Sequence, residues 1–328
     1  VRLTITLLTL LLGACSPRKT AIESGAEALD AGAPDAGLNG WFFGRSFAAR
    51  TYHLFAPPRN ADERRPIVLL LHGNGGSADQ LLGRGGKPAP FKRWGDIAAR
   101  ERLFLVVPDG AAPSGGEQGW NDCRADATTN PTTDDVGFVM NLIDSLESEG
   151  VDRGRVFVNG ISNGGNMALR LAIERGSSFR AVAAIVASMP ARSECVGSSA
   201  PVSVLFINGT NDSIMPFDGG AVAGSGARGT VISTRAAVDA WRAINGVTEA
   251  ESERMLPDSF PSDGCTVVEV ASRRTWPTVA LLRVVGGGHT EPSPSERYTA
   301  VGLLVLGRQS GDIEMAEEVH RFFAAQGP

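Results

Sequence analysis

The hydrophobic positions fall first into one isolated run and then into a long alternating series. Leu3 to Leu12 is apolar apart from Thr4, Thr6 and Thr9. Ser16 to Gly40 carries hardly a large apolar residue and is rich in Ala, Gly, Asp, Glu and Pro. From Trp41 onward, short β-branched and Leu-rich runs alternate with segments of helical period. The runs predict strands over Thr51–Phe55, Ile67–Leu71, Leu103–Val107, Val156–Asn159, Ala181–Ala187, Val202–Ile207 and Val279–Val285. Helices are predicted over Phe91–Glu101, Asp134–Glu149, Asn163–Arg175, Thr234–Ile244 and Asp312–Ala325. Several of the strands are continuously apolar, as in a sheet buried on both faces. Thr51–Phe55 alternates instead and suits an antiparallel edge. Strands alternating with helices predict an α/β fold, a mostly parallel central sheet with helices on both faces. No internal repeat or second linker interrupts the series, so residues 41–328 read as a single domain.

In such a sheet, chemistry gathers beyond the C-terminal ends of the strands. Several segments leaving those ends carry polar and glycine residues. Gly160-Ile161-Ser162-Asn163-Gly164 has the G-x-S-x-G pattern, with a predicted strand before it and a predicted helix after it. That context makes a sharp turn that exposes the serine, and the helix N-terminus favours developing negative charge. Without the flanks, the same pattern is a common glycine-rich turn.

A neutral serine hydroxyl needs a base, and the chain has 4 histidines. His53 lies inside a strand, His72 opens a glycine-rich turn and His320 sits within a helix. His289 stands on the loop after the last strand and is the expected base. Asp212, in Asn208-Gly-Thr-Asn-Asp212, also follows a strand and is the carboxylate expected to orient it. Asp218 is the competitor and reads as a surface residue. The order Ser162, Asp212, His289 is that of α/β-hydrolases. The oxyanion donors are expected to be the backbone N–H groups of Asn163 and of Asn74 in the loop His72-Gly-Asn-Gly-Gly76. That loop lacks the Gly-Lys-Ser/Thr ending of a phosphate loop.

Six segments then occur in a fixed order: Leu71-His-Gly-Asn-Gly-Gly-Ser77, Pro108-Asp-Gly110, Asp134-Asp-Val-Gly-Phe138, Gly160-Ile-Ser-Asn-Gly-Gly165, Asn208-Gly-Thr-Asn-Asp212 and Gly287-Gly-His-Thr290. Together they resemble the extracellular polyhydroxybutyrate depolymerase and feruloyl/acetyl-xylan esterase family, over residues 41–326. The resemblance implies an α/β-hydrolase fold, ester hydrolysis, and catalytic roles for Ser162, Asp212 and His289. It implies no metal and no organic cofactor. The chain departs from the family's usual pattern at Glu291-Pro292, where Trp-Pro is frequent, and in having few cysteines.

Ala111 to Thr133 is the expected substrate rim. Within it Trp120 either stacks on an aromatic acyl group or sugar ring, or packs the loop down; Asn121 lies beside it. Asp134 and Asp135 read as a helix cap and first-turn carboxylate.

Composition mostly excludes. The chain is 42% apolar with a formal net charge of −5, which gives no footprint for nucleic acid. Arg2, the apolar run and Leu12-Gly-Ala-Cys15 read as a lipoprotein signal, residues 1–15, with Cys15 the lipidated residue. The run is too short to span a bilayer, which takes about 20 residues. Residues 16–40 would then be a flexible tether of roughly 25–30 Å r.m.s. span. Three cysteines follow, Cys123, Cys195 and Cys265, enough for at most one intrachain disulfide. A Cys123–Cys195 bond would clamp the rim, but the sequence does not assign the pair. The expectation is an exported, membrane-anchored, monomeric serine esterase acting on a small or oligomeric ester. A serine peptidase of the same fold, or a non-catalytic envelope lipoprotein on a hydrolase scaffold, are the alternatives.

Overall fold

The computed structural model describes residues 40–113, 116–197, 200–224, 227–271 and 276–327. The expected signal peptide with Cys15, and nearly all of the expected tether, lie outside them. In chain order the strands are β1 (Trp41–Phe47), β2 (Arg50–Phe55), β3 (Arg65–Leu71), β4 (Phe104–Pro108), β5 (Val151–Ile161), β6 (Ala181–Ile185), β7 (Ser203–Gly209), β8 (Gly220–Ala221), β9 (Thr230–Val231), β10 (Ser252–Met255), β11 (Thr266–Ala271) and β12 (Val279–Val285). The helices are α1 (Ala78–Leu81), α2 (Arg93–Glu101), α3 (Asp135–Ser145), α4 (Asn163–Arg175), α5 (Thr234–Ile244), α6 (Ala300–Leu306) and α7 (Met315–Ala324).

Ten strands form one sheet in the order β1-β2-β4-β3-β5-β6-β7-β12-β11-β10, and β8 and β9 pair separately. The six from β4 to β12 run parallel, and an antiparallel pair closes each end. Side chains alternate across β3. Ile67, Leu69 and Leu71 pack with Leu142 of α3, Met167 of α4 and Trp241 of α5. Val68 and Leu70 pack on the other face with Trp94 of α2 and Val319 and Phe323 of α7. That two-sided burial is why the central strands are apolar at consecutive positions. Side-chain oxygens of Ser77, Asp134, Ser233 and Thr299 cap the N-termini of α1, α3, α5 and α6.

Two expectations change. The strand expected at an edge, β2, is antiparallel but internal, because β1 pairs on its outer side from Trp41↔Phe55 to Phe47↔Arg50. The pairs β10–β11 and β11–β12 extend the other end of the sheet beyond the strands predicted.

β3 bonds to β4 on one side and β5 on the other, so the chain reverses its direction of winding there. The crevice beyond their C-terminal ends is the topological switch point, where open α/β sheets take ligands.

Candidate active site

Ser162 lies at the turn between β5 and α4 with φ 54° and ψ −122°. A non-glycine residue held at positive φ costs about 1–3 kcal/mol and persists only where its surroundings enforce it. Here the Ser162 N–H donates to the Ile185 carbonyl at 2.8 Å, and its carbonyl accepts from Asn166 N–H at 2.9 Å. A Cβ on Gly160 would collide with the Gly164 carbonyl, and one on Gly164 with the carbonyls of Leu71 and His72. The glycines therefore let strand, turn and helix close against the neighbouring loop.

Asp212 and His289 come together from the ends of β7 and β12. Asp212 is buried, and its Oδ1 accepts the N–H groups of Ile214 and Met215, both at 2.8 Å. Its Oδ2 lies 2.7 Å from His289 Nδ1. The carboxylate thus accepts a hydrogen bond from Nδ1–H, and Nε2 is the ring nitrogen left for a hydroxyl. Backbone bonds lock the two loops: Asn211 N–H to Gly287 O at 2.8 Å, Gly288 N–H to Arg308 O at 2.8 Å, and His289 N–H to Leu306 O at 2.6 Å. Asp218 is exposed.

The other histidines are engaged elsewhere. His72 is buried; its Nδ1 donates to Gly73 O at 2.7 Å and its Nε2 accepts from Gly110 N–H at 2.9 Å. Burial lowers its pKa. His53 accepts from Gly44 N–H at 3.0 Å and meets Asp79 Oδ1 at 3.0 Å. His320 sits edge-on to Trp94, and burial lowers its pKa too.

The loop after β3 runs past the serine. A Cβ on Gly73 would stand 3.4 Å from Ser162 Cβ. Gly75 N–H donates to Gln118 O at 2.7 Å, and Asn74 Nδ2 donates to Glu117, which also pairs with Arg228 at 3.0 Å. The rim thereby holds the Asn74 loop from outside. Asn163 begins α4, where the first backbone N–H groups have no helical acceptor.

Trp120 corrects the substrate-stacking option. It is fully buried. Its indole N–H donates to His72 O at 2.9 Å and its backbone N–H to Asn163 Oδ1 at 2.7 Å. It packs the rim down and offers no face to a ligand. Asn121 is likewise tied inward, by its N–H to Asp135 Oδ2 at 2.6 Å and its Nδ2 to Thr133 O at 3.1 Å.

Asp122 is the main residue that sequence reasoning passed over. It is buried behind the serine turn, where its carboxylate accepts from Arg124 Nη2 and Asn163 Nδ2, both at 2.7 Å, and from Asn130 Nδ2 at 2.7 Å. Its place beside Trp120 in Trp-Asn-Asp-Cys was a weak signal, since charged residues are seldom buried unless paired. Asp134 caps α3 through Gly137 N–H at 2.8 Å. Asp135 does more than occupy the first turn: it is buried and pairs with Arg50 at 2.6 Å.

Cys123 and Cys195 form a disulfide, and Cys265 is a buried free thiol whose pKa burial pushes up to about 11. Among the described residues the one cluster with metal-ligand spacing is Cys123, Glu174 and Cys195. Its sulfurs are bonded to each other, so it offers no thiolate. A cavity of about 990 Å³ opens between β10–β12 and α7, and none of the residues above line it.

Residues 58–226 match the model of a family described as phospholipase/carboxylesterase. The candidate esterase NocK of Nocardia uniformis subsp. tsuyamanensis is 31% identical over 81% of this chain and 78% of its own. Feruloyl esterase C of Emericella nidulans is 30% identical, but the match covers 50% of this chain and 55% of that one. The solved structure of an acetyl xylan esterase from Aspergillus awamori superposes with a TM-score of 0.55 at 12% identity, covering 84% of this chain and 94% of that one. The last likeness concerns the fold alone.

Proposed function

The chain belongs to the phospholipase/carboxylesterase family of α/β-hydrolases and is a carboxylic ester hydrolase, and from that premise we propose that it works by acyl transfer through Ser162, His289 and Asp212. Ser162 Oγ attacks the ester carbonyl while His289 Nε2 takes its proton. The backbone N–H groups of Asn163 and Asn74 hold the oxyanion, where each donor is worth roughly 3–4 kcal/mol. His289 returns the proton to the leaving alcohol. Water then attacks the acyl-enzyme with His289 as base, and Ser162 is regenerated. Asp212 keeps the imidazole in one tautomer and stabilises its charged form.

The observation that carries this reading is the 2.7 Å bond from His289 Nδ1 to Asp212. It is made at the sheet edge where Ser162 sits at positive φ. The proposed substrates are feruloyl or acetyl esters of polysaccharide, or short hydroxyalkanoate oligomers. The proposed location is outside the cytoplasm, anchored by lipid on Cys15. A disulfide in the folded body supports export.

Ser162→Ala tests the mechanism. Hydrolysis of p-nitrophenyl acetate and butyrate should fall by about 10⁴-fold or more, with unchanged circular dichroism, and a fluorophosphonate probe should label the wild type only. Turnover retained in the variant would remove Ser162 from the mechanism.

A further inference from the structure

A cavity of about 300 Å³ lies between α6 and the loop that leads into β11. That is the small end of the range for sites that take small molecules. Phe260 and Leu303 give it apolar walls, and Arg297 and Arg308 bring two guanidinium groups. Phe260 keeps 40% of its surface exposed. The wall is built around Gly311: a Cβ there would stand 2.8 Å from the Phe260 ring and 3.1 Å from Arg297 Nη1. The missing side chain lets the ring and the guanidinium lie together, with Arg297 Cζ 5.2 Å from the ring centroid.

The charges around it do not cancel. Asp263 is the carboxylate of the lining, and it is already engaged. Its Oδ1 accepts Cys265 N–H at 2.9 Å, and its Oδ2 accepts Gly311 N–H at 2.7 Å and lies 3.8 Å from Arg297. Arg308 donates to the Gly264 carbonyl at 3.3 Å, and no carboxylate pairs with it among the described residues. The cavity thus sets an unanswered cation beside two apolar walls. A free cation is repelled there, and a neutral apolar molecule leaves Arg308 without a partner. A carboxylate with an apolar body answers both.

The floor of the cavity leads to the acid–base loop. Gln309 is buried, and its Nε2 donates to the carbonyls of Glu291 at 2.8 Å and Glu296 at 3.0 Å. The Arg308 carbonyl accepts Gly288 N–H at 2.8 Å and the Thr290 hydroxyl at 2.7 Å. Gly288, Thr290 and Glu291 flank His289 on both sides. A ligand drawn to the Arg308 side chain therefore pulls on the residue whose backbone fastens that loop.

We infer that this cavity is a second binding site, for a small carboxylate with an apolar body, and that its occupant acts on the His289 loop. The acid released by ester hydrolysis is of that class, so the enzyme supplies a ligand for the site by its own turnover. The effect on turnover, but not the binding itself, rests on the role of His289 given above.

Benzoate is the probe, and benzyl alcohol its uncharged counterpart. Enzyme whose Ser162 has been blocked by a fluorophosphonate should still bind benzoate in isothermal titration calorimetry. It should bind benzyl alcohol about tenfold more weakly or worse, since a charge-assisted hydrogen bond is lost. Arg308→Leu should weaken benzoate by about the same factor. Arg308→Lys should recover part of it, and unchanged melting temperatures confirm intact folds in both variants. In the unblocked enzyme, saturating benzoate should lower kcat for p-nitrophenyl acetate, and Arg308→Leu should abolish that fall. Blocked enzyme that takes up no benzoate, or binds it equally well in Arg308→Leu, overturns the site; so does benzyl alcohol binding as tightly as benzoate. Binding that leaves kcat unchanged overturns the action on the His289 loop. A Ser162 that resists the fluorophosphonate would instead overturn the catalytic reading, and titration of the unmodified protein and its Arg308 variants would still decide the site.

Discussion

Glu291 is a carboxyl two residues from His289, buried, and joined to a phenol rather than a cation. Tyr298 donates to it at 2.6 Å, and no salt bridge reaches it among the described residues. Burial raises its pKa, more than the Tyr298 hydrogen bond and the charge of His289 lower it. The direction fixes a pH dependence. A carboxyl whose pKa is higher folded than unfolded binds its proton more tightly in the native state. Its stabilisation is complete below the ordinary value of 4.5 and is lost as pH rises through the folded pKa. Glu291→Gln keeps the shape and an oxygen for Tyr298 but cannot ionise. Thermal melts should therefore show the variant gaining on the wild type as pH rises above 4.5, a gain that a solvated carboxyl would not give. Single residues were legible in the sequence where backbone context marks them, as at Ser162, Asp212 and His289, which chain order and strand ends single out. Asp122, Asp135 and the buried Trp120 were not, because their partners, Arg124, Arg50 and the His72 carbonyl, are fixed only when separate segments meet.

At the scale of the element, the turn from β5 into α4 is specified by steric exclusion as much as by propensity. A Cβ on Gly164 has backbone carbonyls of the β3 end in its way, and backbone cannot step aside as a side chain can. Gly164→Ala should cost at least about 3 kcal/mol, the upper part of the overpacking range. It should lower the denaturant midpoint and the turnover together; a variant as stable as the wild type would mean that β3 and α4 are not held so close. The central strands were readable for a related reason. Burial on both faces leaves unbroken apolar runs, as in Ile67–Leu71 of β3, Phe104–Val107 of β4 and Val204–Ile207 of β7. The sheet ends were harder. β10 is exposed at all its positions and is a strand only because β11 pairs with it. α6 carries no polar face to give a helical period, so its pattern says nothing of which way it points.

Across the whole molecule, one covalent link spans what the sheet does not. Cys123 and Cys195 are 72 residues apart, and their bond ties the rim to the segment after β6. The same two segments are joined by Glu194 N–H to Cys123 O and Ala125 N–H to Arg192 O, both at 2.8 Å. Asp122, next to Cys123, holds Asn163 in turn. The link therefore secures the wall behind the serine turn as well as an outer loop. Closing a loop of that length in the unfolded chain is worth about 4 kcal/mol on the chain-entropy model. Cys123→Ser/Cys195→Ser, or the wild type in dithiothreitol, should lose up to that amount of stability. Near its lowered melting temperature, esterase activity should fade before the helical signal does, because the rim has lost its fastening while the α2–sheet–α7 layers have not. Coincident loss of both signals would make the rim part of one cooperative unit with the sheet. Melts identical with and without reductant would mean that hydrogen bonds alone hold the rim, and that its stability does not depend on the oxidising compartment proposed for the protein.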